Sequence, residues 1–292
     1  YADIKGGTWY PEKGMYQIVD AMYQLAQELG VKFKFEQEVE SLHIQKNAIS
    51  KVQVSVVVDG KKITQQYQAD VVIAGADYHH VETALLPKAY RSYSTKYWDT
   101  RVMAPSCLIY YVGLNKKIQG LQHHTLFFDT SFEVHGKEIY TTKEWPTDPL
   151  FYVSAVSVTD TNSAPEGCEN LFFLIPVAAG LQDDTEALRD KYFDLILSRA
   201  EKQLKQSIRE SIIFKKSYAH KDFINDYHSF KGNAYGLANT LLQTAVLKPS
   251  CKSKKLKNLF YTGQLTVPGP GVPPSLISGE VVARLVNKQF KR

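Results

Sequence analysis

The residues with the clearest chemical potential form a loop rich in glycine and proline near the end of the chain. The loop runs from Gly263 to Pro274 and reads GQLTVPGPGVPP. Its glycines remove side chains at points where the backbone would lie against a flat or phosphorylated ligand. Pro273 or Pro274 suits the first turn of a helix, whose free N–H groups would stabilise an electron-rich ligand edge. Taken alone, the loop equally fits a rigid turn that only connects two elements.

Histidine and cysteine residues give no comparable signal. The pairs His79-His80 and His123-His124 occupy adjacent positions, whose side chains would point to opposite faces of a strand. No carboxylate or cysteine stands at ligand spacing from them, so we predict no metal site. The cysteines are far apart and lack C-x-x-C spacing, which indicates neither a disulfide framework nor a zinc site and fits a reducing cytoplasm. They are Cys107, Cys168 and Cys251.

The composition is that of a folded globular protein. The chain has 292 residues, of which 44% are hydrophobic and 22% charged, and this length allows one large domain or two of ordinary size. The longest apolar runs, such as Leu171 to Val177, fall well short of the roughly 20 residues that cross a bilayer. The formal charge of +5 comes mostly from four lysines between Lys252 and Lys257. Such a stretch forms a solvated loop or contacts anionic lipid headgroups, and we expect no nucleic-acid partner.

The beginning of the chain predicts an α-then-β step. Apolar residues recur on one helix face from Met15 to Leu29, and Gly30 would end that helix. Val31 to Phe35 then alternates apolar and polar residues in the manner of a strand. A helix that leads directly into a sheet is typical of an α/β domain.

Further strands are predicted before residue 78. Three alternating segments lie at 39–44, 49–58 and 62–68, and Asp59-Gly60 between the last two is a strong hairpin signal. The apolar run that follows ends in Gly75-Ala76-Asp77. This pattern is typical of a buried parallel strand whose end something must approach closely.

Between residues 79 and 250 the pattern changes to strands rich in Tyr and Phe and one long helix at 185–206, with Asp183 or Asp184 available as its N-cap. The strands are predicted at 108–112, 125–128, 151–158 and 170–177. The chain then returns to a strand at 259–262, the glycine loop and a last helix from Ser275 to about Phe290. We therefore predict a fold class of α/β combined with α+β.

Three segments resemble the phytoene desaturase-like branch of the FAD-dependent amine oxidase superfamily. They are GGTWYPEKGM at 6–15, ADVVIAGAD at 69–77 and GQLTVPGPGVP at 263–273. The family patterns are G-G-x-x-Y-P-x-G-G-M before a helix, A-D-x-V-V-x-x-A-D on a strand, and G-x-x-T-x-P-G-x-G-[VI]-P before the last helix. The resemblance covers nearly the whole chain in order and spacing. Lys13 and Gln264-Leu265 depart from the pattern, since the family has a second glycine and small residues there.

The resemblance implies FAD as cofactor and assigns residues to it. Gly263, Gly271 and the Val272-Pro273 pair would line the isoalloxazine, whereas Glu38 and Val39 would lie at the adenosine half. When the strand end Gly75-Ala76-Asp77 is included, the predicted cofactor-binding residues are Glu38, Val39, Gly75, Ala76, Asp77, Gly263, Gly271, Val272 and Pro273. It also implies a discontinuous, partial Rossmann-like FAD-binding domain at 1–78 and 251–292 and a mixed-sheet substrate-binding domain at 79–250.

One family motif is absent from the sequence. The G-x-G-x-x-G loop that binds the FAD pyrophosphate occurs nowhere in it, and Gly269-Pro270-Gly271 cannot replace that loop because Pro270 lacks an N–H donor. The chain also opens with YADIKGG, without an initiator Met or a leader segment. We therefore expect a C-terminal fragment of a longer protein, or a processed one, that alone binds FAD weakly and is inactive.

The implied activity is FAD-dependent desaturation of a long polyisoprenoid hydrocarbon such as phytoene, in carotenoid biosynthesis. Such chemistry needs orientation and an apolar tunnel rather than a catalytic triad, so no catalytic residue is assigned. Aromatic residues of the middle strands could wall the tunnel or form ordinary core, and the segment from Asp222 to Gly236 is a second candidate for substrate contacts. The aromatic residues are Tyr110, Tyr111, Phe127, Phe128, Phe172 and Phe173.

Two alternatives stay open. A related carotenoid isomerase or oxidase would use the same fold and cofactor, and a non-enzymatic lipid carrier of the GDP dissociation inhibitor type would share the fold without flavin chemistry. For the desaturase we expect a cytoplasmic protein attached peripherally to the membrane surface, from which it draws its substrate. No oligomeric state is predicted.

Overall fold

The computed structural model describes residues 5–7 and 9–290. Helix α1 (Tyr16–Glu28) precedes an antiparallel sheet in the order β1-β2-β3. Its strands are β1 (Gln37–Gln45), β2 (Ala48–Val58) and β3 (Lys61–Tyr67). The hairpin at Asp59-Gly60 is confirmed, and the positive φ of 51° and 72° at these two residues is what a tight two-residue hairpin requires.

The strand predicted at Val31 to Phe35 is wrong. These residues have no regular secondary structure, and the first strand begins only at Gln37. Alternation of apolar residues makes a strand only where a neighbouring strand supplies hydrogen bonds. No other strand among the described residues pairs with this segment.

A short strand and two small helices follow the first sheet. They are β4 (Val72–Ala74), α2 (Tyr78–His80) and α3 (Thr95–Asp99). Asp77 is the N-cap of α2, because its carboxylate accepts a hydrogen bond from the His80 N–H.

A five-stranded antiparallel sheet occupies the middle of the chain. Its elements are β5 (Ser106–Leu114), β6 (His124–Phe127), α4 (Phe132–Lys137), β7 (Phe151–Ser154), β8 (Glu169–Val177), α5 (Glu186–Leu204), β9 (Ile212–Tyr218) and α6 (His220–Tyr227). The order in the sheet is β6-β7-β8-β5-β9. The predicted strand at 151–158 ends early, since Val156–Val158 forms a 3₁₀ turn.

The N-cap predicted for the long helix is also wrong. Thr185 caps α5, and its hydroxyl accepts a hydrogen bond from Leu188 N–H. Asp184 is instead held by the buried Arg189, whose Nε and Nη2 donate to the two carboxylate oxygens at 2.6 and 2.8 Å. A bidentate ion pair is the stronger use of a carboxylate, which leaves the cap to the next residue.

Strand β10 (Leu259–Tyr261) and helix α7 (Val272–Gln289) complete the fold. Strand β10 pairs with β4 in parallel, with Tyr261 opposite Ala74. The parallel strand at 72–74 is confirmed, but its burial is not, because Ile73 is 51% exposed. Helix α7 begins at Val272 rather than at Ser275, so both prolines lie inside its first turn.

The aromatic residues of the middle sheet divide between its two faces. Tyr110, Phe127 and Phe173 are buried in the core against α5. Tyr111 points to the opposite face and is exposed, and Phe128, just after the end of β6, is exposed as well. Strand alternation explains the division, since successive side chains point to opposite faces.

A second core joins residues from distant parts of the chain. Tyr78, Trp98 and Tyr261 are each 1% exposed or less and pack together with Leu42 of β1. The residues that follow position 78 therefore share a core with β10, and the predicted division at 78/79 remains a prediction. Among the described residues, no helix combines the length and apolar character that a membrane crossing requires.

Candidate functional site

The ends of β4 and β10 lie side by side. Thr262 N–H donates to the Ala74 carbonyl at 3.0 Å, which extends the parallel pairing one residue beyond Tyr261, the last residue of β10. A Cβ added to Gly75 would lie only 3.6 Å from Thr262 Oγ1. In open parallel sheets, ligands bind beyond the carboxyl ends of the strands, and both glycine segments follow such ends.

A cavity of about 440 Å³ opens at this edge. It is lined by the residues that follow β4, by Thr262 to Leu265, by Ser275, and by residues of α6 and the segment after it. The lining residues from α6 and that segment include Phe223, Tyr227 and Asn233. Ligand pockets in proteins measure roughly 300–1,000 Å³, so the cavity is large enough for one planar ring system.

Gly263 presents bare backbone to this cavity. Its φ of 100° lies in the region that favours glycine, and a Cβ built on it would meet nothing within 4 Å. Its N–H donates to Ser278 Oγ at 2.8 Å, and that hydroxyl donates to the Ser275 carbonyl at 2.6 Å. The turn is thus fastened to the first turns of α7, and the open side of Gly263 is available to a ligand.

The start of α7 leaves room for a ligand to come close along the helix axis. Gly271 is the N-cap with a φ of 105°, and the first turn contains Pro273 and Pro274, which carry no N–H. Ser275 N–H donates to the Gly271 carbonyl at 3.0 Å, and Ser275 also lines the cavity. Gly271, Val272 and Pro273 therefore lie within one turn of the cavity wall but do not line it.

The second candidate segment is packed directly against the glycine turn. Asn233 Oδ1 accepts hydrogen bonds from Gly236 N–H at 2.7 Å and from Gln264 Nε2 at 3.2 Å. A Cβ on Gly236 would lie 2.7 Å from the Gln264 carbonyl oxygen, closer than real Cβ contacts come. The two segments, far apart in sequence, therefore form one site.

This site belongs to a chain that matches a known family model along nearly all its length. Residues 1–287 match the family described as flavin-containing amine oxidoreductase. The chain belongs to this family. FAD is accordingly the cofactor of this chain's family.

Named relatives of this flavin-containing amine oxidoreductase chain act on carotenoids. A carotenoid 3,4-desaturase of Haloarcula japonica is 37% identical over 283 residues, which cover 97% of this chain and 55% of the relative. A 1-hydroxycarotenoid 3,4-desaturase of a Flavobacterium species is 27% identical over 286 residues, covering 98% of this chain and 56% of the relative. The chain thus spans about half the length of the curated relatives it matches.

Solved structures agree at the level of the fold. The crystal structure of an oxidoreductase from Methanosarcina mazei superposes with a TM-score of 0.61 at 15% sequence identity. The superposition covers 94% of this chain and 55% of that one. The mixed α/β architecture with several sheets is therefore shared with that structure.

The residues around the cavity fit a flavin ring. Gly263 offers a bare surface against which a flat ring can lie, and Phe223 and Tyr227 supply aromatic surface to the same cavity. The positive end of the α7 dipole lies at Val272, within one turn of Ser275, which lines the cavity. Gly75, Ala76, Asp77 and Gly263 are the predicted cofactor residues that the structure brings together at the cavity wall.

Asp77 holds two segments of this wall together through hydrogen bonds. Its two carboxylate oxygens accept hydrogen bonds from His80 N–H at 3.0 Å and Phe230 N–H at 3.1 Å. Burial raises the pKa of the Asp77 carboxyl, while these hydrogen bonds act in the opposite direction. Asp77 thus connects the end of β4 to the segment that carries Asn233.

Glu38 and Val39 do not line the cavity. Val39 is half-buried against the second core, and the exposed Glu38 carboxylate lies 3.8 Å from His228 Nε2. His228 in turn stacks on His80, with ring centroids 4.0 Å apart. Burial, followed by the neighbouring His228, lowers the pKa of His80. The two predicted adenosine contacts are therefore not part of the cavity wall.

Sequence reasoning included Asn233 and Tyr227 only as members of the segment from Asp222 to Gly236, which the family resemblance proposed for substrate contacts, and gave neither a role of its own. The local signal for Asn233 was its place in the run GNAYG, where an amide between glycines is typical of a tight connection. Tyr227 is the last residue of a short helix, and nothing in its neighbours predicts that it faces residues 35 positions later in the chain. Only the tertiary fold brings these side chains to the strand ends.

Proposed function

We propose that the chain forms the flavin-facing and substrate-binding part of an FAD-dependent desaturase that dehydrogenates a long polyisoprenoid hydrocarbon of the carotenoid type. The observation that carries the proposal is the cavity that the bare backbone of Gly263 lines together with Phe223 and Tyr227. A ring in this cavity would contact both main chain and aromatic side chains. Relatives named as carotenoid 3,4-desaturase and zeta-carotene-forming phytoene desaturase support the substrate class.

This chemistry makes few demands on polar side chains. FAD, when bound, supplies the oxidising group that takes hydride from a C–H bond. The hydrocarbon has no carbonyl to polarise and no leaving group to protonate, so the residues of this chain orient ring and substrate and exclude water. In this proposal the flavin ring lies against the backbone of Gly263, which has no side chain, and Phe223 and Tyr227 form the apolar wall.

The domain organisation is part of the same proposal. Residues 1–78 and 251–292 would belong to a discontinuous Rossmann-like FAD-binding domain, and 79–250 to a substrate-binding domain. Two findings support it: β4 and β10 pair although they are far apart in sequence, and the strands of the middle sheet all lie within 79–250. An isolated two-stranded sheet is marginal in water, which suits a piece of a larger sheet.

Because the chain lacks G-x-G-x-x-G, we propose that it binds FAD only weakly without the pyrophosphate loop of its family. Isothermal titration of the chain with FAD checks this directly. A dissociation constant in the micromolar range or below would contradict it.

We further propose that the protein draws its substrate from a membrane surface through the basic stretch from Lys252 to Lys257. All four lysine side chains are exposed, and Lys254 Nζ lies 4.1 Å from the ring centroid of Tyr93. Exposed lysines attract anionic lipid over about one Debye length. The chain should therefore pellet with anionic liposomes at low salt and dissociate at high salt, and failure to pellet would contradict the proposal.

The activity is tested in cells that accumulate phytoene. A polypeptide that contains this chain and the pyrophosphate loop should produce carotenoids that absorb at longer wavelength, because desaturation lengthens the conjugated chromophore. The Gly263→Val variant should abolish the change, since its side chain would occupy the cavity. Gly279→Ala is the matched control, because a Cβ there meets nothing within 4 Å. Isomerised products with an unchanged number of double bonds would indicate an isomerase instead.

A further inference from the structure

Lys248 is buried next to Gly269 in the glycine and proline loop. It follows the 3₁₀ turn Ala245–Leu247, in a segment fastened on both sides. Before it, Gln243 Nε2 donates to the Val102 carbonyl at 2.8 Å. After it, Ser250 accepts a hydrogen bond from Tyr78 through its carbonyl at 3.0 Å. These anchors hold the backbone so that the Lys248 side chain is only 4% exposed.

The ammonium nitrogen of Lys248 has no hydrogen-bond partner within residues 5–7 and 9–290, although it is fully removed from solvent. Burial of a cation without a partner is costly. The buried Arg189 shows the usual solution, because Asp184 and Asp222 both pair with its guanidinium at 2.6 to 2.8 Å. Lys248 lacks such a counter-charge, and burial lowers its pKa.

Gly269 explains where the ammonium group lies. Its φ is 136°, and a Cβ built on it would lie 3.0 Å from Lys248 Cε and 3.2 Å from Lys248 Nζ. The end of the lysine side chain therefore lies against Gly269, two residues before Gly271, the N-cap of α7. The missing side chain at Gly269 makes room for Lys248 rather than for a ligand.

We propose that Lys248 is an electrostatic positioning residue of the ligand site: from its position beside Gly269, its ammonium group attracts the anionic part of the ligand to the start of α7. This inference rests on the proposed function. A charge in a low-dielectric interior acts over several ångströms without direct contact, and an anion at the turn supplies the counter-charge that the chain itself does not provide. The anion has two possible sources in FAD, the pyrophosphate and the ring, which gains electron density on reduction.

The test compares three variants of the chain. Lys248→Met removes the charge at similar side-chain length, Lys248→Arg keeps the charge, and Lys255→Met removes an exposed charge as the matched control. Urea unfolding without ligand should show that Lys248→Met is as stable as the unsubstituted chain or more so, since it removes a desolvated cation. A lysine that served only to stabilise the fold would give the opposite result, a loss of stability, and would overturn the proposal.

Ligand binding is measured by saturation-transfer NMR at millimolar ADP and riboflavin, and by the reduction potential of bound riboflavin. We expect Lys248→Met to weaken the binding of either ADP or reduced riboflavin about tenfold. Lys248→Arg should retain most of that binding. Weaker ADP binding identifies the pyrophosphate, whereas a lower riboflavin potential with unchanged ADP binding identifies the ring.

The proposal would be overturned if Lys248→Met behaved like the unsubstituted chain in every measurement. It would also be overturned if the unsubstituted chain bound neither ADP nor riboflavin. The cell-based product assay separates this failure from failure of the proposed function. Loss of the product with retained Lys248-dependent binding would refute the desaturase and leave the positioning role intact.

Discussion

Tyr78 and Tyr261 stack face to face with ring centroids 3.6 Å apart and an interplanar angle of 12°. The Tyr261 hydroxyl donates to Glu82 Oε1 at 3.2 Å, so the pair is fixed at its edge as well as at its face. Tyr261 is the last residue of β10, and Tyr78 begins the helix that follows β4. The stack thus holds together the two chain segments whose ends form the cavity.

Replacement of Tyr261 tests the importance of this stack. Tyr261→Ala should lower the free energy of unfolding by about 3–5 kcal/mol because it leaves a cavity in the second core. Tyr261→Phe keeps the ring and should cost only about 1 kcal/mol for the lost hydrogen bond. Urea unfolding followed by far-UV circular dichroism measures both, and equal losses for the two variants would show that the ring contact is unimportant.

Gly236→Ala should damage the fold at the site itself. The new Cβ would meet the Gln264 carbonyl oxygen at 2.7 Å, and the φ of 92° is unfavourable for alanine, so a loss of about 2 kcal/mol or more is expected. Gly136→Ala in α4 is the control, since a Cβ there meets nothing within 4 Å and its φ is not positive. A helical Gly→Ala change should be neutral or stabilising by up to about 1 kcal/mol. Similar behaviour of the two variants would contradict the contact.

The ion pair of Asp184 and Arg189 should make stability depend on pH in the acid range. Burial alone would raise the pKa of Asp184, but the hydrogen bonds and charge of Arg189 hold it below the usual value. The stability that this carboxylate contributes is therefore present above the unfolded pKa of about 3.9 and is lost as pH falls through the lower folded pKa. Asp184→Asn should remove this part of the acid dependence and leave Arg189 without half of its counter-charge.

That variant should also be destabilised by several kcal/mol at neutral pH, since it breaks a buried pair from one side. Denaturant titrations at a series of pH values below 6 measure both effects. An unchanged acid profile in Asp184→Asn would mean that another carboxylate controls it.

Helix α1 should tolerate polar substitution of its apolar stripe. No residue of α1 is buried, and Val19, Met22 and Leu25 are each about half exposed or more. The double variant Val19→Lys and Met22→Lys should change the free energy of unfolding by no more than about 0.5 kcal/mol and should reduce self-association, because it interrupts an exposed apolar patch. Analytical ultracentrifugation and urea unfolding check the two parts, and a large loss of stability would show that the stripe is packed in solution.

Local patterns in the sequence were sufficient for most elements. The hairpin at Asp59-Gly60, the strand before Gly75 and the long helix α5 follow from turn chemistry and periodicity, which depend on neighbouring residues only. The strand at Val31 to Phe35 failed because pairing depends on a partner strand. Thr185 displaced Asp184 as cap because Arg189, one turn later, takes the carboxylate.

The candidate site was predicted in part. Gly75, Ala76, Asp77 and Gly263 lie together as expected, since motif glycines report positions where backbone must be bare. The contact of Gly236 with Gln264 and the burial of Lys248 against Gly269 could not be predicted. Both depend on how separate loops pack against one another, and no local pattern encodes that packing.

The most direct test of the account is an amide chemical-shift map of the ¹⁵N-labelled chain titrated with riboflavin, which has the ring but no phosphate. The account predicts that the amides with the largest shifts are those of Gly75, Thr262, Gly263 and Ser275, around the cavity between the two strand ends. Shifts confined to other parts of the chain, or none at millimolar riboflavin, would contradict the claim that the Gly263 turn receives a flavin ring.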